Sequence, residues 1–168
     1  MESRDTMWKK SKKYVSKDAA LKKLQRYCAY QERCHKEVRN KLLNLGIYGD
    51  DLENIIVDLI SDDFLNEERF AKMYAGGKFR IKKWGRVRIT QELKLRRISA
   101  YCIRKAMEEI EEEDYIKTLH QVFEKRLKYI KEENEFKTNT NLGKYAISRG
   151  FESHIVWREV KQRNEEEE

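Results

Sequence analysis

The sequence predicts an all-α chain of three tandem three-helix repeats that stack into an elongated, curved body. Three observations carry this expectation. The 168 residues contain no proline, the strongest breaker of helices. Charged residues make up 40% of the chain and hydrophobic ones 39%, a mix that favours helices with charged exposed faces over strands. The apolar pattern also matches itself when shifted by 51 and by 104 residues. Val38 falls on Ile89 and Leu142, Leu42 on Leu93 and Ala146, and Ile47 on Ile98 and Phe151. Leu52 falls on Ile103 and Val156, and Ile56 on Met107 and Val160. A unit of about 50 residues buries too little apolar surface to be secure alone, so neighbouring units must pack together.

Residues 1–15 read as a basic tail, with Lys9, Lys10, Lys12 and Lys13 around a single apolar anchor, Trp8. This stretch lacks the apolar core of a secretory signal. The first repeat spans residues 16–65. It opens with an amphipathic stretch over 16–32. A helix follows with Val38, Leu42 and Leu45 on one face, then a break at Gly46. The next helix carries Leu52, Ile55, Ile56 and Leu59, with Asp50 or Asp51 as its N-cap.

The second repeat spans residues 66–113. Asn66 caps a helix reaching about residue 83, in which Gly76–Gly77 marks a kink or close packing. That helix ends at Trp84–Gly85. Another ends at Ile98–Ser99, where Ser99 caps the third, and Phe79 and Tyr101 read as core. The third repeat spans residues 114–163. It has a helix over 114–132, a loop or frayed end over 131–142 with Asn134, Thr138, Asn139, Thr140 and Asn141, a break at Gly150 and a cap at Ser153. Residues 164–168 form an acidic tail.

Formal net charge is +7, unevenly distributed. Between residues 72 and 105 lie twelve Lys or Arg and one acid, Glu92, a local net charge of +11. Residues 51–68 hold seven acids and no base, and residues 108–114 hold six acids and no base. A run of one sign repels itself unless it is compensated. Either the flanking acidic helices fold back on it, or it faces an acidic partner or a phosphate backbone. The candidate binding residues are Lys78, Arg80, Lys82, Lys83, Trp84, Arg86, Arg88, Arg96 and Arg97. Trp84, beside Gly85, either plugs the junction between helices or anchors a partner.

The chain has neither a phosphate-binding glycine loop nor a dinucleotide fingerprint. Cys28, Cys34 and Cys102 form no C-x-x-C pair and read as reduced, idle thiols. His35, His120 and His154 lie far apart, so no metal site and no cofactor is expected. Asp62–Asp63 and Glu111 to Glu113 are the acids a metal-dependent nuclease could use for Mg²⁺, although such runs are usually solvated helix ends. No apolar run approaches the ~18 residues of a membrane span.

The stretch FLNEERFAKMYAGGKFRIKKWGRVRITQELKLRRI, residues 64–98, resembles the central repeat of RecX proteins. Its marks are Glu68-Arg69-Phe70-Ala71 opening a helix, Lys82-Lys83-Trp84-Gly85 as a basic helix end and glycine turn, and Arg88-Ile89 with Glu92-Leu93 in the next helix. Arg97-Ile98 closes the motif. Glu37-Val38-Arg39 with residues 42–47, and residues 146–151, fit the other two repeats, so the resemblance covers about residues 19–160. Many relatives have proline where this chain has Arg86, and glycine where it has Arg97; the second departure makes that helix end less sharply stopped. The resemblance implies a non-enzymatic, cytoplasmic regulator that lodges in the groove of the RecA–DNA filament and suppresses recombinase and ATPase activity. It implies secondary contacts to single- and double-stranded DNA and needs no cofactor. A monomer is the simplest assembly. The alternative from the charge alone is a stand-alone basic helical DNA-binding protein.

Overall fold

The computed structural model describes residues 15–131 and 134–167. The expected basic tail lies almost wholly outside them, as do Glu132, Glu133 and Glu168. Among the described residues there are nine α-helices and no strand. They are α1 (Lys17–Tyr30), α2 (His35–Asn44), α3 (Gly49–Ser61), α4 (Glu67–Lys82), α5 (Arg86–Leu95), α6 (Ala100–Glu108), α7 (Glu112–Leu127), α8 (Glu135–Ser148) and α9 (Ser153–Glu167). The chain divides into two compact units, Met1–Leu65 and Asn66–Glu168. The first holds one helix triplet and the second holds two.

In the first unit the buried stripe of each helix follows the predicted spacing. Ala20, Leu24 and Cys28 of α1 meet Val38 and Leu42 of α2 and Leu52, Ile55, Ile56 and Leu59 of α3. Ile47 and Leu65 complete this core. Each fully buried aliphatic side chain stabilises by roughly 1.5–3 kcal/mol. Glu37 accepts a 2.9 Å bond from the Cys34 N–H at the start of α2, and Arg39 pairs bidentately with Glu53 of α3 at 2.6 and 2.8 Å.

In the second unit α4 packs along α6 and also meets α5, while α8 lies between α7 and α9. Phe70, Ala71, Ala75 and Phe79 of α4 are buried with Ile89, Leu93, Cys102, Ile103 and Ala106. The two triplets join through stacked rings. Tyr115 is fully buried, 5.9 Å from Phe79 and 5.1 Å from Phe151.

The same turn ends the second helix of every triplet. Ile47 N–H bonds Leu42 C=O at 3.0 Å, Ile98 N–H bonds Leu93 C=O at 3.1 Å, and Phe151 N–H bonds Ala146 C=O at 3.2 Å. Each bond spans a left-handed residue, Gly46 (φ 80°), Arg97 (φ 59°) or Gly150 (φ 95°). This is the Schellman stop, which buries the apolar residue just beyond it. Arg97 therefore does not blur the helix end. It adopts the glycine conformation and stops α5 as sharply as its counterparts do.

Several expectations need correction. The 131–142 stretch is largely helix, because Asn134 accepts from the Lys137 N–H at 3.1 Å and Leu142 and Ala146 anchor α8 in the core. Capping and burial outweigh the weak propensity of the Asn and Thr residues. Neither Asp50 nor Asp51 is the N-cap of α3; both lie in its first turn, where acids favour the helix dipole, and Tyr48 stands at the cap. Ser153 does not cap α9 but is its first residue, and Glu152 C=O accepts from the Val156 N–H at 3.0 Å. The acidic C-terminal run continues α9 through Glu167 rather than fraying. Tyr101 is 52% exposed and not core, whereas Phe79 is buried. Asn66 and Ser99 do cap α4 and α6, through bonds to Arg69 N–H and Cys102 N–H at 2.8 and 3.3 Å.

Candidate functional site

The left-handed residue that stops α4 is Lys83 (φ 54°), and its N–H returns to Phe79 C=O at 3.1 Å. Gly85 has φ −77° and opens α5 as its N-cap. The glycine there answers to space and not to turn geometry. A Cβ at Gly85 would stand 2.2 Å from the Gly150 carbonyl. Gly85 N–H bonds Arg149 C=O at 2.9 Å, and Val87 N–H bonds Gly150 C=O at 3.0 Å. The α4–α5 turn is thus pinned backbone to backbone on the α8–α9 turn.

On α4 and α5 the bases and aromatics form a continuous ladder. The Arg88 guanidinium lies 4.0 Å from the Trp84 ring centroid, and Lys78 Nζ lies 5.1 Å from it. Lys78 also reaches Tyr74 at 5.2 Å, and Arg96 stacks on Tyr74 at 4.6 Å. Trp84 is half-buried, with two cations against its ring. Each cation–ring contact contributes about 0.5–1 kcal/mol at an exposed site. The contacts hold the cations in place without neutralising them.

The flanking acids reach only part of the run. Lys72 pairs with Glu68 at 3.0 Å and Glu109 at 3.2 Å, and Lys105 pairs with Glu108 at 2.9 Å. Arg96 pairs with Glu92 at 2.8 Å, and that hydrogen bond holds the Glu92 carboxyl below the usual carboxylate range. Arg86 pairs with Glu112 at 2.8 Å and Glu152 at 3.8 Å, and lies 3.9 Å from the Tyr115 ring. The Tyr115 hydroxyl accepts from the Arg86 N–H at 3.0 Å and donates to Glu152. Burial, then the Glu152 bond, pushes the Tyr115 phenol far above its ordinary range.

Arg86 and Arg96 are therefore engaged inside the second unit. The other seven candidates, Lys78, Arg80, Lys82, Lys83, Trp84, Arg88 and Arg97, supply six bases that form no close ion pair among the described residues, although Arg88 adds to the positive field on Glu92. Arg80, Lys82 and Arg97 are exposed; Lys78, Lys83, Trp84 and Arg88 are half-buried. Lys94 and Arg104 are also exposed and form no close ion pair among the described residues, though outside the candidate set; Arg104 lies 5.4 Å from the Tyr101 ring. Lys125 and Arg149, far along the chain, join Lys82 and Lys83 around one cleft. Counting charge in a linear window cannot find them, because only the pinned turns bring them near α4.

No group of three or more His, Cys, Asp or Glu among the described residues is placed to hold a metal ion. Asp62 and Asp63 lie in the turn after α3, where Asp63 is left-handed at φ 59°. The three cysteines are buried and not joined in disulfides, and burial pushes the Cys34 and Cys102 thiols up, away from the reactive thiolate. Among the described residues no helix is long and apolar enough to cross a membrane.

Residues 66–107 match the family model for the second three-helix domain of RecX. The chain is 28% identical over 122 residues to the regulatory protein RecX of Clostridium perfringens (strain 13 / Type A), covering 71% of this chain and 57% of that protein. It is 28% identical over 131 residues to the regulatory protein RecX of Clostridium tetani (strain Massachusetts / E88), covering 77% and 58%. The matches thus span under two thirds of these relatives' own length. The crystal structure of RecX from Lactobacillus salivarius superposes with a TM-score of 0.77 at 21% identity, over 87% of this chain and 95% of that one. A second crystal structure of regulatory protein RecX gives 0.78 at 18% identity, over 87% and 73%.

Proposed function

We propose that this chain, which belongs to the RecX family, is a cytoplasmic, monomeric, non-enzymatic regulator that binds the RecA–DNA filament and lowers its recombinase and ATPase activity. The observation that carries the reading is the ladder on α4 and α5, where Lys78 and Arg88 flank Trp84 and, among the described residues, neither is closed off in an ion pair. Such a surface favours a negatively charged assembly. Arg80, Lys82, Lys83, Arg88 and Arg97 meet acidic recombinase surface or the filament's DNA, and Trp84 anchors the contact. Single- and double-stranded DNA are secondary partners. Arg86 and Arg96 act indirectly, by holding the ladder's elements in place. Binding of this kind changes activity only through different affinity for the filament's conformations.

Charge reversal of Arg80, Lys83 and Arg88 together tests the assignment. Inhibition of RecA ATPase is expected to vanish while helicity by circular dichroism is kept. Unchanged inhibition would sink it. The same cations suit phosphate as well as carboxylate, which keeps a stand-alone DNA-binding role as the rival. Anisotropy with labelled DNA, with and without RecA, separates the two. Tight DNA binding with no effect on RecA decides for the rival.

A further inference from the structure

We infer that the second unit carries a site for one unpaired nucleotide, in the cleft between the end of α4, α7 and the end of α8. The cleft has a volume of about 380 Å³, within the range of about 300–1,000 Å³ typical of small-molecule sites. Four cations line it, Lys82, Lys83, Lys125 and Arg149, and no acid does. They come from three separate stretches of chain, so no single helix surface accounts for their gathering. The Arg149 guanidinium donates to the Lys82 carbonyl, which holds it against the lysine pair. Lys82 and Lys83 themselves have no acidic partner among the described residues. One held guanidinium and three lysines, with no carboxylate among the lining residues, form a site for phosphate oxygens.

Phosphate alone does not explain the remaining wall. Ile81 is 77% exposed beside the lysines, and Val122 forms an apolar floor. Tyr145 lines the same cleft, with Arg126 4.9 Å from its ring, and Arg126 is held in turn by a 2.9 Å bond to Asn141. Gln121 adds a side-chain amide, a donor and an acceptor. An apolar and aromatic surface next to phosphate-binding cations matches a flat base joined to its phosphate, and the amide matches a base edge. The nucleotide can come from a single strand or from solution. The site shares Lys82 and Lys83 with the proposed filament contact, but Ile81, Gln121, Lys125, Tyr145 and Arg149 play no part in that contact, and the variants that test the site are drawn from them.

The test uses the full chain, a labelled oligothymidylate, an abasic phosphodiester strand of equal length, and free thymidine monophosphate as competitor. Lys125→Glu and Ile81→Ser both change exposed side chains. Lys125→Glu is expected to weaken the oligothymidylate about tenfold and to flatten the salt slope by about 0.7. Ile81→Ser is expected to remove most of the wild-type preference for the base-bearing strand, a loss of about fivefold or more. Competition by the free nucleotide assigns the site to soluble nucleotides as well, and its absence assigns it to strands; either supports the site. Equal wild-type binding of the two strands, or binding unmoved by both variants, overturns it. The filament reading is scored separately, by ATPase inhibition in a variant with Arg80 and Arg88 reversed and Lys83, which lines the cleft, kept.

Discussion

Arg97 holds a backbone conformation, φ 59°, that its counterparts Gly46 and Gly150 supply as glycine. Left-handed backbone costs an ordinary L-residue about 1–2 kcal/mol. Arg97→Gly is therefore expected to raise stability by about 1 kcal/mol, seen as a rise of about 2–5 °C in Tm by calorimetry; an unchanged or lower Tm contradicts this. The side chain is exposed and forms no ion pair among the described residues; under the proposed role, the same variant is expected to weaken partner binding. Glu159 shows the opposite economy. It is 4% exposed and accepts from His120 Nε2 at 2.7 Å and Arg158 Nε at 2.9 Å. Burial pushes its carboxyl up, but the bonds from His120 and Arg158 prevail and leave it below its ordinary value. Its stabilisation is present above the unfolded carboxylate value, about 4.3, and is lost as pH falls through the lower folded value. Glu159→Gln is expected to lose less stability than wild type between about pH 6 and about pH 3, measured by urea denaturation at each pH. Equal acid sensitivity of the two proteins would remove Glu159 as a source.

At the scale of elements, the apolar spacing located the buried faces because i, i+3, i+4 periodicity is a property of local sequence. Leu24, Leu42, Leu93 and Leu119 are all fully buried on helices whose pattern is readable without coordinates. Helix starts were less legible. α8 was hidden by its Asn and Thr residues, since propensity is local while the burial of Leu142 and Ala146 is tertiary. Of the site, the run of charge was legible and its neutralisation was not. Pairing of Arg86 with Glu112 and Glu152 depends on how α7 and α9 approach α5. The turn contact at Gly85 belongs to this scale too. Gly85→Ala drives a methyl into the Gly150 carbonyl and is expected to cost about 1–3 kcal/mol, read as a lower urea midpoint. A midpoint equal to wild type would mean that the two turns separate freely.

Across the whole chain net charge is +7. Within the second unit Glu68, Glu108, Glu109 and Glu112 pair with Lys72, Lys105 and Arg86 and leave the middle of the basic run to meet a partner. Because the run's bases are exposed or half-buried, the attraction is screened over about 10 Å at 0.1 M salt. Inhibition of RecA ATPase is expected to weaken several-fold between roughly 50 and 200 mM salt; a salt-independent inhibition constant would show that apolar contacts dominate. The backbone contact between the two turns leaves no slack on either side. A side chain at Gly85 would run into Gly150 and Phe151, and one at Gly150 into Arg88, so enlarging either glycine obliges the facing backbone to withdraw and loosens the clasp between the two triplets.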